Sequence, residues 1–147
     1  MNPRPGRILA LDLGTRRIGL ALSDGLGLTA QGLDTLVRRN KRADLAALAT
    51  IVREREVELI LVGLPLRLNG DAGTQAVWAT EFAAMLEQSI GVPVTMRDER
   101  LTSVEAEHML RGRRVPQDQR KAAIDRLAAT IMLQEYLDSL NAPGAQA

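Results

Sequence analysis

Apolar and polar positions divide the chain into a strand-rich opening third and a remainder in which strands alternate with helices. Ile8 to Leu13 is an apolar run broken only by Asp12. Ile18 to Ser23 is a second run, and Gly14 and Gly19 bracket a turn at Thr15-Arg16. This order predicts two strands folded antiparallel as a hairpin that aims Asp12 toward a cleft. Gly32 to Val37 predicts a third short strand, ending at a basic loop, Arg38 to Arg42. Leu45, Leu48, Ala49 and Val52 then recur at helical spacing, and the polar residues Arg53 to Glu56 close that helix. Val57 to Val62 reads as a central parallel strand, followed by a loop from Gly63 to Asp71 with turn signals at Pro65 and Asn69-Gly70.

A second helix is expected from Thr74 to Ile90, with Trp78, Phe82, Met85 and Leu86 as its apolar stripe and Gly91 as its stop. Val92 to Arg97 predicts a fifth strand, with Pro93 near its start, where a missing N–H is tolerated. Thr102-Ser103-Val104-Glu105 has the form of a capping box, opening a short helix that ends near Gly112. A last helix runs from Gln119 to Leu140 with Ile124, Leu127, Ala128 and Ile131 as its buried stripe. These elements predict an α/β fold, a mixed sheet with helices on its faces, forming one domain over residues 1–140 with a flexible tail at 141–147.

Composition narrows the chemistry. The chain has 147 residues, 46% hydrophobic and 25% charged, which suits one soluble globular domain. No run approaches the roughly 18 apolar residues of a membrane span, and the N-terminus carries no signal-peptide pattern, so a cytoplasmic protein is expected. With no cysteine and a single histidine, His108, thiolate catalysis and cysteine-ligated zinc are excluded, and a metal site must use oxygen donors. Such donors suit Mg²⁺ or Mn²⁺.

The net charge is only +1, but 17 arginines and 2 lysines are grouped, at Arg38 to Arg42, Arg97 to Arg100, and Arg111 to Arg114. Arginine forks bind phosphate bidentately, so these groups suit a nucleic-acid surface, or equally a solvated arginine-biased face. Only Trp78, Phe82 and Tyr136 are aromatic, too few for a base-stacking platform.

Acids at the ends of predicted elements are more informative than acids on helix surfaces. Three positions qualify: Asp12, the pair Asp98-Glu99, and Asp125. A carboxylate inside an apolar strand must be paired, hydrated or metal-bound to offset its desolvation. Asp125 precedes Ala128 and Ala129 on a small-residue helix face, although pairing with Lys121 also accounts for it. Asp98 or Glu99 alone could hold Arg97 or Arg100. Taken together, the three positions favour a metal site, and two divalent ions held by carboxylates support phosphodiester cleavage without histidine or cysteine.

The segments Asp12-Leu-Gly-Thr-Arg-Arg-Ile-Gly19, Val62-Gly-Leu-Pro-Leu66 with Asn69-Gly70, Asp98-Glu-Arg-Leu-Thr-Ser103 and Ile124-Asp-Arg-Leu-Ala-Ala129 resemble the YqgF/RuvX family, in family order and over nearly the whole chain. The resemblance implies an RNase H-like fold with a five-stranded sheet of order 3-2-1-4-5. It implies a metal-dependent endonuclease that matures the 5′ end of pre-16S ribosomal RNA, or one that resolves Holliday junctions. Asp12, Glu99 and Asp125 match the family's acidic triad, as catalytic residues and as ligands for one or two Mg²⁺ or Mn²⁺ ions, with Asp98 beside Glu99. RNase H-like nucleases commonly carry the second acid at the end of the fourth strand, where this chain has Gly63-Leu64-Pro65; here it follows the fifth. Strands one and five of that order lie about 10 Å apart, which side chains and ions can bridge.

Arg16, Arg17, Arg100, Arg113 and Arg114 are the expected nucleic-acid contacts, with structured RNA or branched DNA as partner and no membrane. Arg16 and Arg17 could equally form a hairpin charge pair. Thr102 and Ser103 read as helix caps, and His108 as a helix residue outside the chemistry. Junction resolution would call for a symmetric homodimer with two sites. The rivals are a noncatalytic RNA-binding module and an actin-like nucleotide binder, whose phosphate loop shares Asp-Leu-Gly-Thr but whose site needs two such domains.

Overall fold

A computed structural model describes residues 6–14, 16–64, 73–98 and 117–141, with side chains described at all of these except 64, 73–76, 98 and 117–125. The elements are β1 (Arg7–Leu13), β2 (Arg17–Ser23), β3 (Ala30–Val37), α1 (Lys41–Glu54), β4 (Val57–Leu64), α2 (Gly73–Ile90), β5 (Val94–Asp98) and α3 (Gln117–Asn141). The strands form one sheet in the order β3-β2-β1-β4-β5. The first three are antiparallel neighbours, while β4 runs parallel to β1 and β5 parallel to β4. Order and directions agree with the topology expected from the resemblance.

Both faces of the central strands are covered, which is why β1 reads as an almost unbroken apolar run. Leu9, Leu11 and Leu13 pack with Leu48 and Val52 of α1 and with Phe82 and Leu86 of α2. Ile8 and Ala10 point the other way and meet Ala129, Met132, Leu133 and Leu137 of α3. The two-residue alternation of a strand thus assigns Asp12 to the face that α3 covers.

Contacts along β3 orient α3. Arg126 pairs with Asp34 at 3.1 Å, Gln134 accepts from the Ala30 N–H at 3.0 Å and donates to the Leu28 carbonyl at 2.9 Å, and Asn141 donates to the Gly27 carbonyl at 3.1 Å. As α3 advances, its partners recede along β3, so α3 runs antiparallel to β3 and β1. It begins at the edge where β1 ends. Gly32 permits this close seating, because a Cβ there would stand 2.7 Å from the Arg126 Cγ and 3.0 Å from the Thr130 Oγ1.

Several boundaries differ from the sequence expectation. β3 begins two residues earlier, at Ala30, and β4 runs on to Leu64. Arg38 to Arg42 is not one loop: Asn40 caps α1 by accepting the Ala43 N–H at 2.8 Å, so Lys41 and Arg42 form the first turn of that helix. β5 starts after Pro93, whose carbonyl accepts the Ile60 N–H at 2.9 Å, and it extends to include Asp98. Among the described side chains of α3, Ala128, Ala129, Met132, Leu133 and Leu137 are buried and Leu127 and Ile131 only partly so, while that of Ile124 lies outside them. The helix expected from Thr102 to Gly112 lies outside the described residues.

Candidate functional site

Asp12 is the last polar residue of β1, 6% exposed, one step before the strand ends at Leu13. Its cross-strand partner on β2 is Gly19 and on β4 is Gly63. Paired residues of neighbouring strands share a face, so no side chain on either flanking strand stands beside the Asp12 carboxylate in its row. The buried acid is thus flanked by glycine on both neighbouring strands, on a sheet face that also carries the small residues Ala10 and Ala21. The sequence marks Gly19 and Gly63 only as turn and strand-end signals; the register sets both beside Asp12.

The row continues from Gly63 to Arg97 on β5, two strand spacings or about 10 Å from β1. Arg97 is half-buried and lies 3.8 Å from the Glu135 carboxylate of α3. A basic group thus faces the same side of the sheet as Asp12, balanced by an acid from the covering helix. Asp98 follows in register with Leu64, one row beyond Asp12. Position 125 lies on α3 one turn before Ala129 and two turns before Met132, both buried against the sheet, on the stripe that meets β1. Asp12 and position 125 accordingly share a face and an edge. Glu99 lies outside the described residues, immediately after the strand that ends at this edge. Arg100, Arg113, Arg114 and His108 also lie outside them. Among the described residues, no three side chains of metal-ligating type come together.

The turn after Asp12 is held from several directions. The Gly14 N–H donates to the Arg17 carbonyl at 2.9 Å, closing the hairpin, and the Arg38 N–H donates to the Arg16 carbonyl at 2.8 Å. The Arg38 guanidinium donates to the Gly14 carbonyl at 2.9 Å, lies 3.8 Å from Asp44 and sits 3.9 Å over the Trp78 ring. Asp44 is 3% exposed and also accepts the Arg39 N–H at 3.1 Å. Trp78 stacks on Phe82 with its centroid 5.4 Å away. A single guanidinium thus ties the end of β3, the start of α1, α2 and the carbonyl two residues after Asp12. Sequence reading placed Arg38 among surface cations; its inward role had no signal in the pattern. With Arg38 over its ring and Phe82 stacked on it, Trp78 is engaged in packing.

Arg16 is exposed at the hairpin tip, and Arg17 opens β2 half-buried. Neither forms an ion pair among the described residues, so the hairpin charge pair is not observed there.

A family model described as RuvX, Holliday junction resolvase, matches residues 6–139. Among curated proteins, one from Koribacter versatilis bearing the name "Putative pre-16S rRNA nuclease" is 56% identical over 133 residues, covering 90% of this chain and 87% of its own length. Another of the same name, from Moorella thermoacetica, is 50% identical and covers 94% and 99%. Among solved structures, Thermus thermophilus RuvC in complex with Holliday junction substrate matches with a TM-score of 0.58 at 16% identity, covering 93% of this chain and 96% of that one. The fowlpox virus resolvase bound to junction DNA matches with a TM-score of 0.53 at 12% identity, covering 91% and 98%. At such identities these two likenesses speak for the fold alone, the RNase H-like arrangement that the strand order already describes. By the family match and by its identity to these relatives over nearly their whole length, the chain belongs to the RuvX family.

Proposed function

We propose that this protein is a divalent-metal-dependent endonuclease that matures the 5′ end of pre-16S ribosomal RNA in the cytoplasm. The observation that carries the reading is Asp12: a buried strand-end carboxylate with glycine on both flanking strands, beneath the helix that carries Asp125. The names of relatives at 56% and 50% identity supply the substrate.

In this reading Asp12, Glu99 and Asp125 hold one or two Mg²⁺ or Mn²⁺ ions. The donors fit such an ion: all are carboxylate oxygens, the chain has no cysteine, and the strand neighbours of Asp12 are both glycines. Bound there, a divalent ion neutralises charge at the scissile phosphodiester and makes water a competent nucleophile at neutral pH. Asp12 supplies negative charge from a strand end, and the Gly14 and Arg16 carbonyls beyond it are both held by Arg38. Arg16, Arg17, Arg100, Arg113 and Arg114 grip phosphates flanking the cut.

The family description favours a second reading, resolution of Holliday junctions by a symmetric homodimer. Labelled pre-16S leader RNA and a four-way DNA junction, each incubated with Mg²⁺, Mn²⁺ or EDTA, separate the two. Metal-dependent cutting of the leader, abolished in Asp12→Asn, is the expected result. Cutting of the junction alone would select the second reading, and binding without cutting of either would leave a noncatalytic module.

A further inference from the structure

The cations from Arg38 to Arg42 divide into two kinds. Arg38 is turned inward onto Gly14, Asp44 and Trp78. Arg39, Lys41 and Arg42 are exposed. The hydrogen bond from the Arg38 N–H to the Arg16 carbonyl, with the pairing of Arg17 to Val37, brings the exposed Arg16 beside them. All four lie at the edge of the sheet where β1 ends at Asp12. Among the described residues none of the four enters an ion pair. The nearby carboxylate, Asp44, is buried and already held by Arg38 and the Arg39 N–H, so it does not neutralise the exposed group.

Stability does not account for this placement. Lys41 and Arg42 occupy the first turn of α1, where the helix dipole disfavours positive charge, and Arg39 immediately precedes the cap. Four cations without an ion pair among the described residues, set at a helix start and a hairpin tip, also repel one another. Such a cluster is relieved by a polyanion that spans it.

We infer that Arg16, Arg39, Lys41 and Arg42 form a track for the phosphate backbone of the RNA substrate, leading to the Asp12 edge. The inference rests on the nuclease reading for its ligand, but its contacts are to phosphate rather than to the cut. Each phosphate so held releases counterions, so the track must appear in the salt dependence of binding.

The test is the affinity of a pre-16S leader stem for wild type and for Arg39→Ala/Lys41→Ala/Arg42→Ala, by fluorescence anisotropy in EDTA across about 50–200 mM salt. The triple variant should bind at least about tenfold more weakly at the low-salt end, with a log–log slope shallower by roughly two. Its melting temperature should hold or rise, because like charges leave a helix start; a purely structural role would lower it. Arg53→Ala/Arg55→Ala, at the far end of α1, should leave slope and affinity near wild type. An unchanged slope in the triple variant overturns the track, as does an equal loss in the far-end variant, or a wild type that does not bind the stem. Loss on a four-way DNA junction with the stem unaffected overturns the RNA assignment. Wild type that binds with the full slope yet never cuts with Mg²⁺ or Mn²⁺ sinks the nuclease reading and leaves the track standing.

Discussion

The two turns on either side of β2 each follow an aspartate, and the two acids are handled in opposite ways. Asp24 begins the β2–β3 turn and is satisfied within it: its Oδ1 accepts the Leu28 N–H at 2.7 Å and the Thr29 N–H at 3.1 Å, and its backbone pairs with Thr29 at 3.0 Å. Those amides, Thr29 first and then Leu28, hold its carboxyl below the usual carboxylate range. Asp12 lies inside a strand, not in the turn that follows it, and is buried between two glycine rows. At its end of the hairpin a remote guanidinium, Arg38, does the holding, and its target is the Gly14 backbone. One acid builds its own turn. The other has its turn held by a residue from outside it.

That contrast predicts a large asymmetry between two isosteric changes. Asp12→Asn should lower metal-dependent cleavage by on the order of 10³-fold, since several kcal/mol of charge stabilisation depend on such a ligand. Asp24→Asn should leave cleavage within about twofold, because a turn acid at the opposite edge has no part in the transition state. Single-turnover rates on the same leader RNA check both. Comparable losses in the two variants would show that Asp12 acts through folding rather than through chemistry, as would a collapse of the Asp12→Asn thermal transition.

Arg38 and Asp44 sharpen the comparison, because they support the Asp12 turn from outside it. Asp44→Ala removes the buried partner of a three-quarters-buried guanidinium and the acceptor of the Arg39 N–H. A loss of about 2–3 kcal/mol is expected, less than for a fully buried pair because Arg38 keeps some access to water. Urea unfolding measures it. Hydrogen exchange at the Gly14 and Arg17 amides should quicken in the same variant, whereas exchange at Leu28 and Thr29 should not. Uniform quickening at both turns would mean that Asp44 stabilises the whole fold without favouring the catalytic edge.

What was legible in the sequence follows the same division. Asp12 stands out because it breaks an apolar run, and glycines mark the hairpin around it, so hairpin and acid position are both legible, while the strand order comes from the family resemblance. Asp44 was not legible, because among Arg42, Ala43 and Leu45 it resembles any first-turn helix acid. Arg38 looked like one more member of a cation run; its commitment depends on Trp78, 40 positions later, and on a backbone carbonyl. On the α3 stripe Ala128 is buried as expected, whereas Leu127 and Ile131 are only partly so: hydrophobic size suggests burial, but close seating of the helix on the sheet favours small residues such as Ala128 and Ala129. Position 125 falls one turn before the buried Ala129, and its side chain lies outside those described. Glu99 remains a reading of the family pattern, and Arg100, Arg113 and Arg114 a reading of charge clustering.

The glycines beside Asp12 give a smaller and more discriminating effect. Gly63→Ala adds one methyl in the Asp12 row, on the strand between Asp12 and Arg97. Alanine suits a buried strand at least as well as glycine in backbone entropy, so local preference alone predicts unchanged or higher stability. If the empty row is room for the reaction, cleavage should fall about ten- to a hundredfold, the scale of a misplacement of about 1 Å. Undiminished cleavage in a folded variant would mean that the row is packing economy and that the site lies elsewhere along the edge.

The smallest effect belongs to Asp24, and its sign is fixed by the direction of its shift. A carboxyl whose folded pKa lies below the ordinary value of 3.8 stabilises the fold at pH values above its unfolded pKa. That contribution is lost as pH falls through the folded pKa. Asn keeps an oxygen acceptor for the Leu28 and Thr29 amides but carries no charge, so Asp24→Asn isolates the electrostatic part of the turn. Its melting temperature should lie slightly below wild type at neutral pH, and the gap should close as pH falls below about 4. The activity profile should not change. A gap that persists unchanged at pH 3 would mean that the amides prefer the geometry of the aspartate rather than its charge, and the turn would then resemble the Asp12 edge in being held by shape.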